Sequence, residues 1–255
     1  VSKPILLSVD DGLARITLNR PERLNAFDAA LAAAWEETAL EATSRDDVGA
    51  VLIDAAGPAF CAGGDVVAMA TEMGSGAEIE ALAHSINGGI AALRNSSIPV
   101  VAAAHGTTAG GGLGILLTSD YAVVGRSSRV GSLYAKVGLT PDLSVTAQLA
   151  RAVGERRALQ LVLTDRMLAA DEALAWGLVA EVVDDDAVAR RAEEVARSWL
   201  AGATRAYGEA KRLVRSQPDR AFAEQLAEEA ETIGAIFGSD DARARIAAFA
   251  GKARS

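Results

Sequence analysis

The chain has 255 residues, half of them apolar and 23% charged, with a formal net charge of −9. That is the composition of a globular protein with a large core, and the acidic balance argues against a nucleic-acid binder, which needs clustered basic residues. The single cysteine, Cys61, excludes an intrachain disulfide framework and suits a reducing, cytoplasmic setting. The two histidines, His84 and His105, stand without a Cys/His cluster, which argues against a zinc site. No apolar run approaches the ~20 residues of a membrane helix, so no membrane partner is expected, and the first residues show no signal-peptide pattern.

In chain order, Ile5–Val9 and Ala14–Leu18 flank Asp11-Gly12 and read as a hairpin. Asp28 is placed to cap a helix running to about Thr43, with Leu31 and Trp35 on one face. Val48–Ile53 and Ile98–Ala104 read as buried strands. Between them, Ile79, Leu82, Ala83, Ile86, Ile90 and Leu93 keep a helical period, so 77–94 is expected to be an amphipathic helix. The stretch 66–80, with Gly74-Ser75-Gly76, has the composition of a mobile flap over a pocket. Ile115–Leu117 continues a short helix and Tyr121–Val124 returns as a strand. From about Asp184 the pattern is wholly helical. Phe222, Leu226, Ala230, Ile233 and Phe237 form one stripe and Ala242, Ile246 and Phe249 another, separated by a stop and new cap at Gly238-Ser239-Asp240. These stripes need a surface to bury against, on the chain's own core or on a neighbouring subunit. The predicted class is α/β, with a layered core over 1–195 and a helical C-terminal region over 196–255.

Two glycine loops carry the chemistry. Phe60-Cys61-Ala62-Gly63-Gly64-Asp65 and Ala109-Gly110-Gly111-Gly112-Leu113-Gly114 each have the form of a strand end entering a helix start. Small residues there leave backbone N–H groups unshielded, and a helix N-terminus favours negative charge. Two such donors converging on one point make an oxyanion hole, which stabilises a carbonyl oxygen as it gains charge.

Together with Ile16-Thr17-Leu18-Asn19-Arg20-Pro21, Leu24-Asn25-Ala26 and Ala175-Trp176-Gly177-Leu178-Val179, these loops resemble the crotonase superfamily of enoyl-CoA hydratases, isomerases and relatives. The resemblance covers essentially the whole chain, in order and spacing. It implies a spiral of ββα repeats with a C-terminal helical region used for trimerisation, in homotrimers or dimers of trimers. It implies an acyl-CoA substrate, with no cofactor beyond the coenzyme A of that substrate. The thioester oxygen would sit between the N–H groups of Gly64 and Gly111. Arg23, Leu24, Ala26, Ala62, Asp65, Val66, Gly110, Leu133, Tyr134, Pro141 and Lys252 are the implied substrate and CoA contacts, with Arg20, Arg23 or Lys252 near the phosphates.

The reaction must be chosen by side chains around the hole. Family hydratases use two glutamates, and the matching positions here look like Gly114 and Tyr134. Neither can be a carboxylate base. Beyond Tyr134, Lys136-Val137-Gly138-Leu139-Thr140-Pro141-Asp142 resembles family isomerases that use one aspartate at the place of Asp142, including the ring-epoxide isomerase type of phenylacetate breakdown. One carboxylate suffices for a 1,3-proton shift, and an apolar pocket raises its pKa towards neutrality. Leu133, Val137, Leu139 and Leu143 are the candidate walls. The same Pro-Asp before an apolar run also suits a helix N-cap, a role that would lower the pKa instead. Tyr134 is placed either to donate a hydrogen bond, to stack on the acyl group or to wall the pocket. Asp65 reads as a helix cap, Cys61 as a small buried residue and His105 as a structural hydrogen-bonding group. A family dehalogenase pairs an aspartate nucleophile at this place with a histidine on the preceding helix. Asn87 falls at that histidine's place, with His84 one turn away. The leading expectation is therefore double-bond isomerisation with Asp142 as proton shuttle. Hydration with an atypical site, hydrolysis or dehalogenation, and acyl-CoA binding without catalysis are the alternatives.

Overall fold

The structure, a computed structural model, describes residues 3–252, and of Lys252 the backbone alone. The chain opens with the expected hairpin, β1 (Ile5–Asp10) and β2 (Leu13–Leu18), turning at Asp11-Gly12 where both residues have positive φ. There follow α1 (Ala29–Ser44), β3 (Ala50–Ala55), α2 (Val66–Glu72), α3 (Gly76–Asn95), β4 (Val100–Ala104), β5 (Thr107–Ala109), α4 (Gly111–Thr118), β6 (Tyr121–Gly125) and β7 (Arg129–Gly131). Beyond them lie α5 (Val145–Val153), α6 (Glu155–Val162), β8 (Met167–Ala169), α7 (Ala170–Trp176), β9 (Glu181–Val183), α8 (Val188–Ala201), α9 (Thr204–Ser216), α10 (Phe222–Phe237) and α11 (Asp240–Lys252).

Six strands form one sheet in the order β1-β2-β3-β4-β6-β9, parallel except for the hairpin. Its central strands are largely apolar because both faces are covered, and Asp54 near the end of β3 is paired with Arg15 at 2.7 Å. Alternate residues divide between two layers. Ala50, Leu52, Val101, Ala103 and Val123 face α8 through Val188, Ala192, Val195 and Ala196. Val51, Ile53, Val100, Ala102 and Val124 face the larger core with α1, α3 and α4. There the indole N–H of Trp35 donates to the Ile86 carbonyl at 3.1 Å, and Phe27 meets the Trp35 ring edge-on. A second sheet, β5-β7-β8, lies beside the first.

Strands β3 and β4 begin two residues later than expected. Pro99, lacking an N–H, serves only as an acceptor for Val51 at 2.9 Å. The 66–80 stretch is wound into α2 and the start of α3, where Glu78 reaches back to accept from the N–H of Ser75 at 2.8 Å. Only 73–75 is left as a connection, so the expected flap is largely helical. The boundary expected at 195/196 falls inside α8, which finishes the sheet's outer layer before the chain leaves the core. Helix α9 docks through Lys211, whose ammonium donates to the carbonyls of Leu93 and Ile98 and pairs with Asp120 at 3.2 Å. The stripes of α10 and α11 are open, with Phe222 76% and Phe249 79% exposed. No helix among the described residues is long and apolar enough to cross a membrane.

Candidate active site

Strand pairing brings the two glycine loops together. Cys61 pairs in parallel with Thr108, so the first loop runs alongside β5 and both segments end at one level. A Cβ on Gly63, whose φ is 106°, would stand 3.0 Å from the Ala109 carbonyl oxygen and 3.3 Å from the Gly111 nitrogen. On its other edge the first loop pairs with Phe27, which donates to Gly63 O at 2.7 Å and accepts from Asp65 N at 2.9 Å. Strand alternation then turns the Gly64 N–H away from Phe27. Gly111 is the first residue of α4 and has no intrahelical acceptor. Neither N–H donates to a protein group among the described residues, and both glycines line a cavity of about 250 Å3.

The same cavity contains Asp142 and Tyr134. The Tyr134 hydroxyl donates to Asp142 Oδ1 at 2.5 Å. Tyr134 thus both walls the cavity and donates a hydrogen bond, here to Asp142. Asp142 does not cap α5. The N-cap is Ser144, and the carboxylate accepts no N–H of the following helix. Burial pushes the Asp142 carboxyl above its ordinary value, against the smaller lowering effect of the Tyr134 bond. The phenol is pushed well up, first by burial and then by the neighbouring carboxylate.

The turn that presents Asp142 is compressed. Leu143 and Ser144 both have positive φ, 48° and 64°, which non-glycine residues rarely adopt. They curl against Gly114, where an added Cβ would fall 2.2 Å from the Leu143 carbonyl oxygen. The place at which the resemblance sets a hydratase glutamate is thus filled by the backbone that carries Asp142.

Two of the four expected walls, Leu139 and Leu143, line the cavity. Val137 is 53% exposed, and Leu133, half-buried with φ 52°, is not among the lining residues. The remaining apolar side-chain walls are Phe27, Met69, Ile79, Leu82, Ala83 and Ile86. Those on α3 belong to the periodic stripe 79–93, whose upper part was legible as a buried face though not as a ligand wall. Glu80 lines the cavity's mouth, solvated and 3.6 Å from His84. His84 and Asn87 are not among the lining residues.

The other predicted contacts sit around the first loop. Asp65 caps α2 by accepting from Val67 N and Ala68 N, and is paired with Arg20 and Arg23. Ala62 donates to the carbonyl of Leu24, an exposed residue in left-handed conformation, and the Ala26 carbonyl accepts from Arg20 at 2.6 Å. Val66 is exposed, Gly110 has φ 52° and Pro141 is half-buried beside Asp142; none of the three lines the cavity. The Lys252 side chain lies outside the described residues. Cys61 is fully buried, its thiol pushed up to about 12 by desolvation, and His105 Nε2 bonds to the Gly57 carbonyl at 2.7 Å. No cluster of three or more metal-ligating side chains occurs among the described residues. A larger cleft of about 850 Å3, between α5 and α9, contains neither glycine N–H nor Asp142.

Residues 8–255 match the family model described as enoyl-CoA hydratase/isomerase. The chain belongs to that family. It has the crotonase fold and is an enzyme of this group. Over 255 residues it is 31% identical to 1,2-epoxyphenylacetyl-CoA isomerase of Escherichia coli, covering 97% of this chain and 95% of the relative. It is 32% identical to 4-chlorobenzoyl coenzyme A dehalogenase-2 of an Arthrobacter species, covering 95% and 88%. The crystal structure of an enoyl-CoA hydratase from Mycobacterium smegmatis superposes with a TM-score of 0.92 at 28% identity, over 98% of this chain and 96% of that one. Three chemistries at similar distance leave the hydratase/isomerase reaction to be argued from the site itself.

Proposed function

We propose that this enzyme shifts a double bond in an acyl-CoA thioester by 1,3-proton transfer, with Asp142 as the single proton shuttle. One observation carries the reading: one desolvated carboxylate faces two unpartnered backbone N–H groups in an apolar cavity. The thioester oxygen accepts from Gly64 N–H and Gly111 N–H. Asp142 takes a proton from one carbon of the acyl chain, leaving an enolate held by those donors. It returns the proton two carbons away, and the double bond moves with no water added. The raised pKa makes Asp142 a stronger base, and its oxygen not engaged by Tyr134 is the one free to act. Hydration in the family's manner calls for a second buried carboxylate. Gly114 and Tyr134 provide none, and Glu80 is solvated at the mouth. A histidine-assisted dehalogenase needs a base that the cavity wall does not supply. The reaction needs no cofactor beyond the substrate's coenzyme A. Arg23, Leu24, Ala62 and Val66, around the first glycine loop, are the proposed contacts for that carrier.

The exposed stripes on α10 and α11 are the proposed contact between subunits of a homotrimer or dimer of trimers, since isolated apolar faces of this size seek a partner. Sedimentation equilibrium checks this, and a monomer at micromolar concentration would refute it.

The decisive experiment follows 3-enoyl-CoA and 2-enoyl-CoA in D2O by mass spectrometry and NMR. Deuterium incorporation with double-bond migration is expected. Asp142→Asn should slow it by about 10²–10⁴-fold while acyl-CoA binding persists. Accumulation of 3-hydroxyacyl-CoA would overturn the reading in favour of hydration. Saturable binding with neither product would leave a non-catalytic acyl-CoA binder.

A further inference from the structure

Two consecutive non-glycine residues in left-handed conformation, Leu143 and Ser144, follow Asp142 directly. Such backbone persists only where its surroundings over-determine it. Main-chain bonds from Val145 N to the Asp142 carbonyl at 2.9 Å and from Gln148 N to the Ser144 carbonyl at 2.8 Å close the turn, and a side chain on the side away from the cavity holds it as well. Gln148, on the first turn of α5 and 5% exposed, donates from Nε2 to Ser144 Oγ at 2.6 Å. Its Oε1 accepts from Arg215 Nη1 at 2.7 Å. Arg215, on α9, is itself held, donating to the Ser119 carbonyl at 2.6 Å and pairing with Asp120 at 3.0 Å. Asp120 also takes Val100 N–H and the Lys211 ammonium, which anchors it to the central sheet.

The direction of this chain of bonds is forced. A guanidinium only donates, so Oε1 of Gln148 must face Arg215. Nε2 must then face Ser144, whose hydroxyl must accept. The amide has one orientation, and the turn has one place to sit. On the other side of that turn, Asp142 has a single side-chain hydrogen-bond partner among the described residues, Tyr134. The carboxylate is therefore aimed from behind, through backbone, rather than by a cage of its own.

We propose that Gln148, oriented by Arg215, is a positioning residue that sets Asp142 against Tyr134 and the substrate, so that helix α9 of the C-terminal region has a part in the reaction. This rests on the reading of Asp142 as the proton shuttle. Gln148 borders the 850 Å3 cleft on its far side and touches no reacting atom, so its effect must pass through the turn.

The test compares Gln148→Leu with Gln148→Glu. Leucine leaves Arg215 and Ser144 without a partner. Glutamate keeps both contacts, because Arg215 still donates and the Ser144 hydroxyl can rotate to donate in turn. Gln148→Leu should lower kcat for proton exchange about tenfold or more, with KM changed by less than about twofold, and Gln148→Glu should restore kcat to within about threefold. A second readout needs no turnover: carbon-13 NMR titration of the labelled aspartates. The Asp142 signal should titrate at higher pH in Gln148→Leu, because the Tyr134 bond loosens, and return in Gln148→Glu. If Gln148→Leu fails to fold, Ser144→Ala removes only the accepting oxygen and should change kcat and titration in the same direction. Unchanged kcat and titration in the folded variants, with Asp142→Asn inactive, would overturn the positioning role alone. An active Asp142→Asn would instead overturn the shuttle reading, while the Asp142 titration in Gln148→Leu would still report whether the turn is held this way.

Discussion

The glycine loops and the Asp142 turn meet in one cavity but are built by opposite means. The loops place their donors through main chain: Cys61 pairs with Thr108, Phe27 brackets Gly64, and Gly111 begins a helix. Gly63, at φ 106°, and Gly110, at φ 52°, hold backbone that any side chain would strain, and a Cβ on Gly64 or Gly111 would fall 2.3 Å from Met69 Cε or 2.7 Å from Leu143 Cδ1. The turn places a side chain, and does so with two non-glycine residues at positive φ and a remote amide behind them. The donors are thus insensitive to side-chain chemistry and sensitive to volume, whereas the carboxylate is sensitive to both. The difference teaches where the reaction is decided. On the proposed reading, the paired N–H groups serve thioester chemistry in general, and the turn selects what is done with them.

The two regions touch at Gly114, and that contact gives the largest expected effect outside Asp142 itself. A methyl group there meets the Leu143 carbonyl oxygen at 2.2 Å, a backbone atom that cannot swing aside. Gly114→Ala should displace the turn and lower kcat about 10²-fold, the scale associated with misplacing a reacting group by about 1 Å. Gly114→Glu should fare no better and should not gain hydration, since its carboxylate would enter by expelling Asp142. Steady-state assays with both enoyl-CoA isomers check this. Wild-type rates in Gly114→Ala would mean the turn gives way freely and the contrast between rigid loops and a compressed turn is false.

Tyr134→Phe sharpens the comparison from the side-chain end. The hydroxyl contact is the larger of the two effects that lower the Asp142 pKa against burial, so its loss lets burial raise it further. The acid limb of the kcat/KM profile, which reports ionisation of Asp142, should move to higher pH. Turnover at the optimum should fall about tenfold through loss of one orienting bond, at little cost in binding. A limb that stays in place would show that Tyr134 only walls the cavity.

The backbone-built half of the site was largely legible in the sequence, and the side-chain half only in part. The loops could be read because glycine runs at strand ends have a local meaning, and the hairpin, α1 and α3 followed from turn, cap and period. Asp142 was legible as a candidate, but its local context fits a helix cap equally well. Only the tertiary position of Ser144 as the actual cap separates the two roles. The cavity walls were half missed: Leu133 and Val137 are neighbours in sequence, yet Phe27, Met69 and Ile79 are neighbours in space. Gln148 carried no signal at all, because a glutamine one turn into an amphipathic helix is ordinary until Arg215 arrives from α9.

The smallest effect expected concerns stability, and its sign is opposite to that on rate. An isolated aspartate has a pKa of about 3.9. Burial raises it in the folded chain, so the fold favours the protonated form. The stabilisation this group can give is complete below about pH 3.9 and is lost as pH rises through the folded value. At neutral pH the ionised carboxylate sits in an apolar cavity with one side-chain hydrogen bond and no cation, and the fold is weakened by it. Asparagine keeps an oxygen to accept from Tyr134 and never ionises. Asp142→Asn should therefore melt about 2 °C higher than the wild type at pH 7.5, and the gain should vanish near pH 4. Calorimetric melts across that range decide it. A variant less stable at pH 7.5 would mean the carboxylate is held by its surroundings as the loops hold their donors, and the distinction between the two halves of the site would lose its energetic basis.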